Sequence, residues 1–185
     1  SDPEQAFFCL LLEDYADEWL WRPAMHYRWH YKQDAYSLSR FIVDELFGPI
    51  PLPKWIKRIL IRIRQRTGFT VGDGIHKGNI QGIEATYINT LKNLQAIFEK
   101  RPFLLGDKPS LADIGFSGPM FRHFGIDPTA SAIMRETAPA LYEWTARLWN
   151  VRFSIVEGSW LNGIPEDWGP ILDDVTVKQL AVYVH

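Results

Sequence analysis

The sequence holds a single cysteine, Cys9, so it can form no internal disulfide and no Cys-rich zinc module, and it suits a reducing compartment, the cytoplasm by default. Long hydrophobic runs are missing. "FFCLLL" near the start falls far short of the roughly 18 apolar residues a membrane span needs, and the first residues are acidic, unlike a targeting segment. Charge of one sign is also lacking: 20 Lys and Arg against 22 Asp and Glu leave a net charge of −2. Global attraction to phosphate is thereby excluded, and nucleic-acid binding would need a local patch. No internal repeat of fixed period, no low-complexity linker and no succession of alternating strands occurs.

What is present is an aromatic, apolar interior and helical spacing. With 185 residues, 46% of them hydrophobic, and eight Trp, the chain is long enough for one sizeable core in one domain. It opens on Ser1 and stops inside the apolar run "LAVYVH", which reads as a piece cut at both ends from a longer protein.

Between Pro3 and Tyr31, the residues Phe8, Leu11, Leu12, Tyr15, Trp19, Arg22, His26 and Trp29 recur at three- and four-residue steps, which predicts one long helix. Pro23 removes a backbone donor and crowds the preceding turn, so a kink near Leu20 is expected. A second helix is predicted from Asp34 to Leu46 with Leu38, Phe41, Ile42 and Phe47 on its buried side, followed by the stiff connection "GPIPLP". The next stretch, Lys54 to Thr67, segregates Trp55, Ile56, Ile59, Leu60 and Ile63 from Lys57, Arg58, Arg62 and Arg66. Packing of the Ile side against the bundle, with the Arg side solvated, is the economical expectation; a cationic amphipathic helix lying on an anionic membrane or against an acidic partner is its rival. Glycines at 68, 72, 74 and 78 mark a loop. Further helices are expected at about Asn79–Lys100, Leu111–Phe124 and Pro139–Val151, the last burying Leu141, Trp144, Leu148 and Trp149. Residues 171–184 read as a final helix, with a strand left open by "VTV" and "AVYV". The fold class is all-α.

"RPFLLGDKPSLADIGF", residues 101–116, is a densely punctuated helix start. Ser110 is placed to accept from the backbone three residues on, Asp113 to reach back to the Ser110 amide, and Pro109 and Ile114 occupy the positions of a hydrophobic staple. Asp is shorter than the usual Glu of such a box, so the return bond requires a tight turn.

This stretch, in the order long bent helix, helical hairpin, capped helix and "DPTASAIMRETAPALYEWTARLW", resembles the C-terminal helical domain of the glutathione S-transferase family over roughly residues 3–151. The resemblance implies an all-α helical bundle of that type spanning residues 1–185, with 152–185 as an extension. It further implies a buried Ser110–Asp113 cap opening the central core helix. Function implied by it is the half of a two-domain enzyme that binds a hydrophobic electrophile and pairs as a homodimer, while a thioredoxin-like domain of the same protein holds glutathione as co-substrate. These residues contain no β-α-β run and no Cys-x-x-Cys, so the thiol-activating group belongs to the other domain and this one is expected to be inactive alone, with no catalytic residue and no cofactor of its own. A non-catalytic protein-interaction scaffold is the alternative, because such helical domains also serve that role.

By the same resemblance Tyr15, Trp19, Arg22 and Arg122 are the candidate electrophile-binding residues, Tyr15 and Trp19 being equally explicable as core and Arg122 as a partner of terminal carbonyls. His26 and His30 stand four apart with Asp34 another turn on, a spacing that suits zinc, but Tyr27 stands where a metalloprotease helix carries Glu and a sure third ligand is missing, so no metal is expected. "GDGIHKG" lacks the Ser or Thr after Lys77 that a phosphate loop requires.

Overall fold

The structure, a computed structural model, describes residues 2–152 and 154–180. Most of these residues are helical: α1 (Pro3–Asp14), α2 (Trp21–His30), α3 (Lys32–Leu46), α4 (Lys54–Arg64), the single turn α5 (Thr70–Gly72), α6 (Ile80–Phe98), α7 (Leu111–Pro119), α8 (Pro128–Thr137), α9 (Pro139–Trp149) and α10 (Gly169–Val175). Wide π turns join α1 to α2 (Tyr15–Trp19), α4 to α5 (Gln65–Phe69), and extend α7 (Met120–Phe124) and α10 (Thr176–Leu180). Among the described residues there is no β-strand, only two isolated bridges through Gly106. The "VTV" triplet is helical, and "AVYV" lies outside the described residues.

α1 and α2 form one bent rod, broken at Leu20 where the π turn ends, three residues ahead of Pro23. Asp2 caps its start through Glu4 N–H at 3.0 Å. α1 packs on α7, whereas α2 packs on α6 and α3. α6 is the spine of the bundle: Ile83, Tyr87, Leu91, Leu94 and Phe98 are all buried, as their spacing predicts. The rods approach closely at one point, where a Cβ on Gly115 of α7 would lie 2.6 Å from Glu13 Cα of α1.

α7 begins as the sequence reads. The Asp113 carboxylate accepts from Ser110 N–H at 2.8 Å and Ser110 Oγ–H at 2.7 Å, and the Ser110 hydroxyl oxygen accepts from the Asp113 N–H, completing a capping box. Its other oxygen accepts from Leu104 N–H at 2.9 Å and the Trp144 indole at 3.1 Å. Asp113 thus ties three segments together from a fully buried position. Burial pushes its carboxyl above the ordinary range, and the four donors offset part of that rise. Pro109 is buried, but Ile114 points outward, half exposed, so it serves a surface groove instead of a sealed staple.

Two helices are turned differently from the sequence expectation. In α3 the buried side carries Asp34, Ala35, Ser39 and Val43, while Phe41 is exposed and Leu38 and Ile42 are half-buried. The reason is polar work at both ends: Asp34 accepts from Thr129 N–H at 2.8 Å and from its hydroxyl, capping α8, and Ser39 Oγ accepts from Arg62 at 3.0 Å. In α4 the reversal is greater, since Lys57 is only 6% exposed whereas Trp55, Ile59, Leu60 and Ile63 face out. Lys57 Nζ donates to the Phe47 and Gly48 carbonyls at 2.6 and 3.2 Å, neutralising the open end of α3. Arg66 does the same for α2 through Trp29 O at 2.7 Å. Trp149, expected inside, is likewise exposed, stacked on Phe121 at 4.7 Å. Glycines 68 and 72 sit in helical turns, so the loop is shorter than expected and runs from Asp73.

Residues 159–178 run back across the bundle as a strap. Leu161 N–H donates to Leu105 O at 2.8 Å, Gln5 donates to the Leu161 and Gly163 carbonyls, and Asp107 N–H donates to Ser159 O at 3.0 Å. Gly106 permits this last approach: it holds φ +132°, and a Cβ there would lie 2.7 Å from Ser159 O. Trp168, Ile171 and Val175 then enter the same core as the helices before them. Arg101 grips Asp167 with two bonds of 2.7 Å, holding the Asp167 carboxyl below its usual range.

Candidate functional site

Two π turns border one cleft. Residues 15–19 pack on α7, and the turn 120–124 packs on α2. Each admits about one extra residue over an α turn and interrupts the regular ladder. At 120–124 the cause is visible in Pro119, which lacks a backbone donor, so the chain resumes with Gly125 N–H on Met120 O at 2.8 Å. Between the two turns the side chains are small, namely Ala16, Ala24 and Gly118, and they leave a cleft of about 150 Å³.

The cleft's remaining lining is Asp17, Trp21, Pro119, Arg122 and His123. Trp21 presents its ring to His123 edge-on at 5.5 Å and anchors its indole N–H on Asp73 at 3.1 Å. The His123 Nδ1 is buried and has no hydrogen-bond partner among the described residues. Burial, then the nearby Arg28 charge, lowers the imidazole to about 4, so it is neutral at physiological pH. A neutral imidazole packed against an indole edge gives the cleft an aromatic wall, and its unused nitrogen reaches a ligand only where the ring turns toward the cleft.

Arg122 lines this cleft and two adjoining grooves. One, about 390 Å³, runs past Arg28, Phe41 and Asp127; the other, about 320 Å³, passes Ile114, Phe121 and Trp149. Arg28 is committed, pairing with Asp127 at 2.8 Å and donating to Arg122 O at 3.1 Å. Burial raises the Asp127 carboxyl and Arg28 works against it. The Arg122 side chain is exposed at the junction of the three cavities.

The four residues picked from sequence are therefore not brought together. Arg122 stands at the cleft. Trp19 and Arg22 form a pair of their own, the guanidinium 4.6 Å from the indole centroid and its Nε on Asp73 O at 3.2 Å. Tyr15 lies in the core, its hydroxyl donating to Asp174 and touching Thr90, and burial raises its pKa strongly. Sequence spacing passed over Trp21, because the π turn rotates everything after residue 19 relative to a regular helix.

A larger depression, about 410 Å³, is lined by His26, His30, His76, Lys77 and Arg66. His26 bonds Glu84 at 2.8 Å, and Tyr31 donates to the same oxygen. Burial lowers the His26 pKa, so this contact joins a neutral ring to a carboxylate, and burial's upward push on Glu84 is outweighed by the two bonds. Among the described residues no group of three or more His, Cys, Asp or Glu side chains is placed to hold a metal ion, and no helix is long and apolar enough to cross a membrane.

Residues 85–151, from within α6 to just past α9, match the family model described as Glutathione S-transferase, C-terminal domain. No curated protein and no solved structure matches the chain.

Proposed function

We propose that the chain, with a glutathione S-transferase C-terminal helical domain at its centre, supplies the electrophile-binding half of a glutathione transferase-like protein. The carrying observation is the cleft between the two π turns, where Trp21, His123 with its unused Nδ1, and Arg122 converge on a space floored by small residues. On this reading Trp21 and Pro119 flank an aromatic ring and Arg122 attracts an electron-rich substituent such as a nitro group or carboxylate. Glutathione, and the group that activates its thiol, reside on a thioredoxin-like domain of the same protein, so the helical domain alone does not turn over substrate.

Exposed apolar side chains next to the cleft support the docking of that domain: Leu111, Ile114 and Trp149 are uncovered on α7 and α9, with Phe7 and Leu10 exposed on the neighbouring α1. Trp19 and Arg22, paired beside Asp73, are proposed as an outer lip and Tyr15 as a residue acting through its hold on Asp174.

The test is a titration of the chain with S-(2,4-dinitrophenyl)glutathione, followed by the Trp21 indole and His123 ring resonances. Binding that shifts both, and weakens about fivefold or more in Arg122→Ala, supports the assignment. Shifts confined to the His26–His30 depression would move the site there and end this reading.

A further inference from the structure

The most amphipathic helix among the described residues wears its apolar side outward. Trp55, Ile59 and Ile63 form an i, i+4, i+8 row on α4, with Leu60 beside it, and Trp55, Leu60 and Ile63 are 64%, 52% and 53% exposed. Among the described residues no helix packs over their side chains, because α4 leans mainly on α3 and on its own π-helical continuation. At the turn before α4, Leu46, Ile50 and Leu52 are exposed as well. The polar side, which solvent would ordinarily take, is spent on the fold: Lys57 on α3 carbonyls, Arg62 on Ser39, Arg58 on Asp44, and Arg66 on α2 carbonyls.

Charge decides what covers this row. Residues 46–72 contain six Lys and Arg and no Asp or Glu, in a chain whose net charge is −2. The acidic groups flanking this segment in the sequence are Asp44, engaged by Lys54 and Arg58, Glu45, and Asp73, whose carboxylate holds the Trp21 indole. A second copy would bring the same cationic segment against itself, which repulsion disfavours. An exposed helix with a Trp near one end, an aliphatic row and a cationic field matches the interface of a negatively charged bilayer, with the helix axis parallel to the surface.

We propose that the outward face of α4, with the turn 46–53, is a docking surface for an anionic lipid membrane. The side chains of Trp55, Ile59, Leu60 and Ile63 enter the boundary between headgroups and acyl chains. Exposed Arg64, and Lys54 on turning from Asp44, meet the lipid phosphates, and the inward cations contribute to the field without leaving the groups they hold. The inference is independent of the cleft, which lies on other elements.

The experiment uses the full chain with vesicles of phosphatidylcholine alone and of phosphatidylcholine with about 30% phosphatidylserine, read by co-sedimentation and by the Trp emission maximum. The variants are Ile59→Ser/Ile63→Ser and Arg64→Gln, both at exposed positions, with far-UV circular dichroism and thermal midpoint as folding controls. Expected are binding to the anionic vesicles that falls as salt rises, a weakening of tenfold or more in the double variant, and a smaller loss in Arg64→Gln. Equal binding to the neutral vesicles, or none to either, overturns the proposal. So does a dimer, detected by sedimentation velocity without vesicles, that the double variant dissociates while vesicle binding is absent; the face would then belong to a second copy.

Discussion

Replacing Asp113 by Ala removes an acceptor from four donors at once. Two are backbone N–H groups, of Leu104 and Ser110, one is the Trp144 indole and one is the Ser110 hydroxyl. The hydroxyl can rotate to another acceptor, but the three N–H groups are fixed, and each buried donor left unpaired costs about 1–3 kcal/mol. A water entering the vacated space recovers part of this, leaving an expected loss of about 3–5 kcal/mol, a large share of the roughly 5–15 kcal/mol typical of a domain. For a chain of this length that lowers the thermal midpoint by about 6–20 °C. Ser110→Ala, which loses the hydroxyl's part in the cap but leaves the carboxylate bound to Leu104 and Trp144, costs only about 1 kcal/mol. Urea unfolding followed by far-UV circular dichroism and Trp emission measures both. Should Asp113→Ala cost less than about 1 kcal/mol, or no more than Ser110→Ala, the carboxylate is not the junction described and the reasoning fails.

Gly115→Ala places a methyl group 2.6 Å from Glu13 Cα, so it should force α1 and α7 apart and destabilise by about 1–3 kcal/mol, whereas Gly118→Ala meets nothing within 4 Å and should be neutral or stabilising; comparable losses for both in urea melts would refute the close approach. His123 is held neutral in the fold down to about 4, below its ordinary 6.5. The unfolded chain therefore binds the extra proton first, and stability falls as pH drops from about 6.5 to 4. His123→Phe should flatten part of that slope, and an unchanged slope contradicts the burial argument. Asp167, depressed by its Arg101 pair, stabilises above its ordinary value near 3.8 and loses that contribution on further acidification. Arg101→Met should therefore shift the acid-unfolding midpoint upward in pH, as followed by Trp emission.

The core helices were legible because nothing competed with their spacing. α6 buries one face along its whole length, and the Ser110–Asp113 start obeys local capping chemistry that needs no tertiary knowledge. α3 and α4 misled because local amphipathicity says how residues divide between two sides, not which side faces inward. There the open carbonyls of α2 and α3 recruited Arg66 and Lys57, a requirement set by helix ends distant from the cations in sequence. The cleft was half legible. Arg122 and His123 lie on the helix the cap begins, whereas Trp21 was hidden by a π turn that no composition signal marks. Tyr15 was read as a pocket candidate or as core from spacing alone, and its partner Asp174 lies 159 positions away, beyond any local pattern.

The strap of residues 159–178 has a consequence for chain integrity. It is fastened to Gln5, Leu105, Asp107, Arg101 and Tyr15, while the stretch ahead of it exposes Ser154, Ile155 and Glu157 to any protease. A nick there cuts the polypeptide without cutting the core. The two pieces should co-elute as one native-sized particle, separate only in denaturant, and find each other again when the denaturant is diluted away.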